Sequence, residues 1–85
     1  MPLFVKHPVR VEARQFTEQS AHSVAAWCGG DLSCYQDGTP RALLIFTLEG
    51  NMLAKINDWV ICGVHGEFHA CDQDIFKETY QEVTP

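Results

Sequence analysis

Apolar and polar positions alternate in short bursts along this chain, and only one stretch holds a helical period long enough to matter. From Val9 to Gln15 the apolar Val9, Val11 and Ala13 alternate with Arg10, Glu12 and Arg14, the two-residue period of a strand with one solvated face. Leu3-Phe4-Val5 reads as a shorter strand before it. Pro2 and Pro8 belong at a strand start or an edge, because neither donates to a ladder, and Pro8 kinks the entry. Between Thr17 and Gly30 the period changes. Ala21, Val24, Ala25 and Cys28 fall at i, i+3, i+4 and i+7, which predicts an amphipathic helix over about residues 18–28. Thr17 or Ser20 is placed to cap its start, Gly29 to end it in the left-handed conformation, and Trp27 to pack beside the apolar stripe on a sheet.

Leu32 to Gln36 and Arg41 to Leu48 read as a hairpin about the turn Asp37-Gly38-Thr39-Pro40. The run Ala42-Leu43-Leu44-Ile45-Phe46 is apolar on both faces. That suits a central strand covered by the helix on one side and by a second layer or a second subunit on the other. From Thr47 to Phe76 three apolar runs are broken at Glu49-Gly50-Asn51, Asn57-Asp58 and Gly63-Val64-His65-Gly66, the punctuation of a β-meander. In the last strand Glu67, His69 and Cys71 share one face, with Phe68 and Ala70 on the other. Asp72 caps a helical turn over about residues 73–79, with Asp74 in its first turn, and Tyr80 to Pro85 form a tail that adds an edge strand. The pattern predicts a single α+β domain over residues 1–85. Its core is a curved antiparallel sheet or small barrel of about five to seven strands under one packed helix.

Composition changes this picture little. The chain is 46% apolar and 20% charged, ordinary for a compact domain. A chain of 85 residues buries only about 60–65% of its unfolded surface, so self-association would help it. Net charge is −5 and unevenly spread. Lys6, Arg10 and Arg14 outweigh Glu12 near the start, while Glu67, Asp72, Asp74, Glu78 and Glu82 outweigh Lys77 near the end. An acidic domain repels phosphate backbones and anionic membranes, which argues against direct nucleic-acid or membrane binding and for a partner with a basic surface. No apolar run reaches the length of a spanning helix or a signal peptide. The four cysteines, Cys28, Cys34, Cys62 and Cys71, lack the density of a disulfide scaffold and read as thiols in a reducing compartment.

Chemistry is sparse. Cys71 with His69 two residues away and Glu67 beyond it would make an activated thiol if the three met, but alternate side chains on a strand stand about 6.5–7 Å apart. A solvated polar face with a half-buried Cys is the better reading. His69 and Cys71 are also the best metal candidates, with Cys28, Cys34, Cys62, His22 and His65 further off, yet no close cysteine pair announces a zinc site. No cofactor is implied. The Gly63-Val64-His65-Gly66 loop does not match phosphate-binding fingerprints and is expected to be a hairpin turn using both glycines at positive φ. Asp58-Trp59 is either an exposed acidic-aromatic contact or, because Trp59 alternates with Ile61, part of the core.

The blocks Thr47-Leu48-Glu49-Gly50, Asp58-Trp59-Val60-Ile61, Gly63-Val64-His65-Gly66-Glu67-Phe68 and Asp74-Ile75-Phe76 resemble a family of small proteins found in phages and prophages, notably of actinobacteria. Pro8 to Gln15 and Trp27-Cys28-Gly29-Gly30 fit as well. The family brings no assigned activity. The resemblance implies a viral gene product working in the cytoplasm of a bacterial host. This chain departs from the pattern at Ile56-Asn57, where the family tends to Pro-Gly, and at Ala70-Cys71-Asp72-Gln73, where it tends to Pro-Cys-Lys-Pro. The second departure puts a negative charge where a shared anion site would need a positive one.

Together these features predict a non-catalytic protein-binding module that engages a host or phage protein, working as a homodimer through its apolar sheet. His65, Glu67, His69 and Asp72 are the expected binding cluster. The alternatives are a small hydrolase or transferase using His69 or Cys71 with Glu67, and a structural virion component.

Overall fold

A computed structural model describes residues 2–4 and 9–83. Six strands and two helices follow in the order β1 (Glu12–Gln15), α1 (Ala21–Cys28), β2 (Asp31–Cys34), β3 (Pro40–Thr47), β4 (Gly50–Lys55), β5 (Trp59–Cys62), β6 (Phe68–Cys71) and α2 (Gln73–Thr79). They form an α+β fold of two antiparallel three-stranded sheets, ordered β1-β5-β6 and β2-β3-β4. Among the described residues the strands close no barrel.

The core lies between the sheets and under α1. Leu43 and Ile45 of β3, Ala54 of β4, Val60 of β5 and Phe16, which follows β1, meet Ala21 and Val24 of α1, with Phe68 and Ala70 of β6 packed against them. This is the helix face that the sequence period predicts. The helix starts at Ala21 rather than near residue 18 because the preceding polar side chains are spent on a turn. Ser20 Oγ donates to the Gln15 carbonyl at 2.6 Å and accepts from the Thr17 amide at 2.9 Å. The Ser20 amide in turn donates to Thr17 Oγ1 at 3.1 Å. Gly29, at φ 68°, ends the helix, and Gly30 then passes close to β3. A Cβ at Gly30 would stand 2.6 Å from the Leu44 carbonyl oxygen, so only glycine lets α1 seat this near the strand.

Turns bind the strands into register. The β2–β3 loop is closed by Tyr35 N to Thr39 O at 2.8 Å and Thr39 N to Asp37 Oδ1 at 2.9 Å, and the Thr39 amide, with its hydroxyl, holds the Asp37 carboxyl below its usual range. Two residues, Leu48 and Glu49, join β3 to β4, where Thr47 pairs with Gly50. Between β4 and β5 the chain reverses through Asn57, at φ 80°, a conformation glycine takes without strain and asparagine tolerates best among other residues. Asp58 ends that turn and is only 6% exposed. Its Oδ2 accepts from the Lys55 amide at 2.9 Å and its carbonyl from the Phe16 amide at 2.8 Å. Asp58 is therefore a buried structural residue rather than an exposed contact.

The sequence expectations fail at the chain ends. Leu3 and Phe4 lie outside any strand, and Val5 and Pro8 fall outside the described residues. The strand expected from Val9 is confined to Glu12–Gln15. The tail to Val83 adds no strand, and Thr84 and Pro85 again lie outside the description. Within β1 the predicted alternation holds, Glu12 and Arg14 being exposed and Ala13 and Gln15 half-buried. Glu12 and Arg14 pair with Cys62 and Val60, which puts them toward α1, and the Arg14 guanidinium lies 4.4 Å over the Trp27 ring while forming an ion pair with Glu12 at 2.8 Å. Ala13 and Gln15 turn to the opposite face with Ile61 and Trp59. There α2 covers the sheet, stacking Phe76 on Trp59 and Tyr80 on Phe76.

Candidate functional site

The expected binding cluster is strung along one hairpin instead of gathered around one loop. His65 and Glu67 lie at its tip, exposed, in the turn from β5 to β6. Cys62 pairs with Phe68, and Gly63 N donates to the Glu67 carbonyl at 2.7 Å to close the turn. Glu67 folds its carboxylate back over Gly63, where Oε2 accepts from the His65 amide at 3.1 Å. A side chain at Gly63 would collide with that carboxylate. Only Gly66 takes a positive φ, 81°, so the two glycines serve different ends: Gly66 supplies the backbone turn and Gly63 the space for Glu67.

His69 and Asp72 are elsewhere. His69 pairs with Ile61 on the face that α2 partly covers and is half-buried. Asp72, past the far end of β6, caps α2 by accepting from Asp74 N at 2.9 Å and Ile75 N at 3.3 Å. The four-residue β6 separates it from the hairpin tip by about 13 Å.

Cys71 pairs with Trp59 and is half-buried. Burial first, then the carboxylates of Asp72 and Asp58, push its thiol above the ordinary value of 9.0. That is the reverse of what a nucleophilic cysteine needs. Glu67 is engaged at the hairpin tip, and among the described residues no hydrogen bond links it or Cys71 to His69. No group of three or more His, Cys, Asp or Glu side chains is placed to hold a metal ion among the described residues.

Two surface depressions stand out. A cleft of about 440 Å³ opens between the β3–β4 turn and the β5–β6 turn, with Phe46, Leu48 and Phe68 as its apolar lining and His65 and Glu67 on its rim. Leu48 at the turn tip is 101% exposed and Phe46 50%. A broader groove of about 1190 Å³ runs between the stretch around Val9–Ala13 and α2 with its tail, floored by Trp59, Phe76 and Tyr80. Sequence reasoning reached His65 and Glu67 but missed Phe46 and Leu48 as their neighbours, because nothing local shows that two turns far apart in sequence meet. The aromatic stack had a signal: Phe76 and Tyr80 are four apart, one helical turn. Comparison with protein-family models, with curated proteins and with solved structures finds no match.

Proposed function

We propose that this chain is a small protein-binding module, encoded by a phage and acting in the cytoplasm of a bacterial host, that captures a host or phage protein at the cleft between its β3–β4 and β5–β6 turns. The observation that carries this is the pairing of fully exposed Leu48 and half-exposed Phe46 with the polar rim of His65 and Glu67. A lone exposed leucine means nothing, but adjoining apolar side chains rimmed by polar ones are what protein partners cover. The Glu67 carboxylate, held in place by the His65 amide, supplies a fixed negative charge at the rim, and a net charge of −5 favours a partner with a basic surface. The chain acts as a homodimer through its apolar sheet. The phage origin rests on the sequence blocks that resemble phage and prophage proteins.

The test is to identify a captured protein from host or phage lysate, purify it, and titrate it against wild type and variants. Leu48→Ser, Phe46→Ser and Glu67→Gln should each weaken binding by about tenfold while circular dichroism and melting stay as in wild type. His69→Ala and Asp72→Asn should leave affinity unchanged. Wild-type affinity in all three cleft variants would remove this surface from consideration.

A further inference from the structure

We propose that the outer face of the β2-β3-β4 sheet is the homodimer interface, two copies stacking this face about a twofold axis parallel to β3. The proposal rests on the reading above that the chain acts as a homodimer, and supplies the surface and its register. The pairing Asp31↔Leu44↔Leu53 and Ser33↔Ala42↔Lys55, with Phe46 opposite Asn51, places these residues together on the side away from the core. Leu53 is 61% exposed and Leu44 half-buried, while Phe46, at the end of the strip, lines the cleft.

Charge identifies the occupant. Asp31 sits on the β2 flank of the apolar strip and Lys55 on the β4 flank, both exposed. Among the described residues the ion pair is Arg14 with Glu12, and neither Asp31 nor Lys55 forms one with another described residue. They stand on flanks about 10 Å apart and one step of about 7 Å offset along the strands. A twofold axis along β3 lays β2 of one copy over β4 of the other. Asp31 then faces Lys55 of the partner subunit across one such step, and the same contact repeats on the other flank. The face is thus complementary to itself in both apolarity and charge, as an isologous contact requires. A three-stranded face of this length buries about 1,000–1,200 Å² over both copies, the lower edge of specific interfaces, so the dimer is a weak one.

Sedimentation velocity across a wide concentration series tests this, with circular dichroism melts to show that each variant folds. Wild type should pass from monomer to dimer. Asp31→Lys and Lys55→Glu should each raise the dimer dissociation constant by about tenfold, and the double variant Asp31→Lys with Lys55→Glu should recover most of the loss. Leu53→Glu should leave a folded monomer. A wild-type monomer at every concentration would overturn both this interface and the homodimer reading. A dimer indifferent to Leu53→Glu and to the charge exchanges would overturn the interface alone. A Leu53→Glu variant that keeps the wild-type dimer but no longer captures the purified partner would give the face to that partner, and equally overturn the proposal.

Discussion

The Trp59 indole and the Phe76 ring lie face to face, their centroids 4.2 Å apart and their planes 7° from parallel. Since no residue of α2 is fully buried, this stack, continued by Tyr80 at 4.9 Å, is what fastens the C-terminal helix to the β1-β5-β6 sheet. Phe76→Ala should cost about 1–2 kcal/mol, aromatic pairing plus partial burial, and shift Trp59 fluorescence to the red. Chemical denaturation followed through Trp59 measures both.

Asp72 does two things with one carboxylate. It caps α2 and raises the Cys71 thiol. Asp72→Ala should lower stability by about 1 kcal/mol. Asp72→Asn should keep the cap but lower the Cys71 pKa, which appears as faster alkylation of Cys71 at mildly alkaline pH, resolved by peptide mass mapping.

Val24, 1% exposed beneath the two sheets, tolerates no charge. Val24→Asp should unfold the domain, a loss above about 4 kcal/mol. A soluble variant with a cooperative melt would contradict the packing of α1.

Asn57 holds φ 80° in the β4–β5 turn. Asn57→Val should cost about 1–2 kcal/mol, because a branched Cβ crowds the left-handed region. Asn57→Gly should keep or raise the melting temperature.

Alkaline pH should loosen the fold through its thiols. Burial raises Cys28, and burial with two carboxylates raises Cys71, both above 9.0. The folded chain therefore holds protons that the unfolded chain releases. The stability contributed is full below pH 9 and is lost as pH rises through the folded-state values. Melting temperature should fall with rising pH less steeply in Cys28→Ala with Cys71→Ala than in wild type.

The strands and both helices were legible wherever a period ran against a single core. Ala21 and Val24 at one helical turn and Asp72 opening α2 follow from local pattern alone, whereas the run Ala42 to Phe46, apolar on both faces, did not show that Leu43 and Ile45 are the pair that turns inward. At β1 the alternation held, with Glu12 and Arg14 exposed and Ala13 half-buried, but it did not show what each side would meet. Arg14 lies toward α1, where Trp27 accepts its guanidinium, and Ala13 turns to the other side. The binding cluster was half legible. His65 and Glu67 share a turn and are neighbours in sequence, whereas Leu48 reaches them only through tertiary packing of two hairpins. Asp58 misled for a simple reason: a charged residue beside a turn asparagine looks solvated until its carboxylate is seen on the Lys55 amide.

That bond at Lys55 bears on how the chain behaves in a crowded cell. Strand β4 borders its sheet and carries the exposed Leu53 between Asn51 and Lys55 on its outer side, and an uncovered rim of this kind is one onto which further strands can template themselves. By occupying the last amide of that rim, Asp58 works as a stopper: a strand laid beside β4 would find the Lys55 donor already taken.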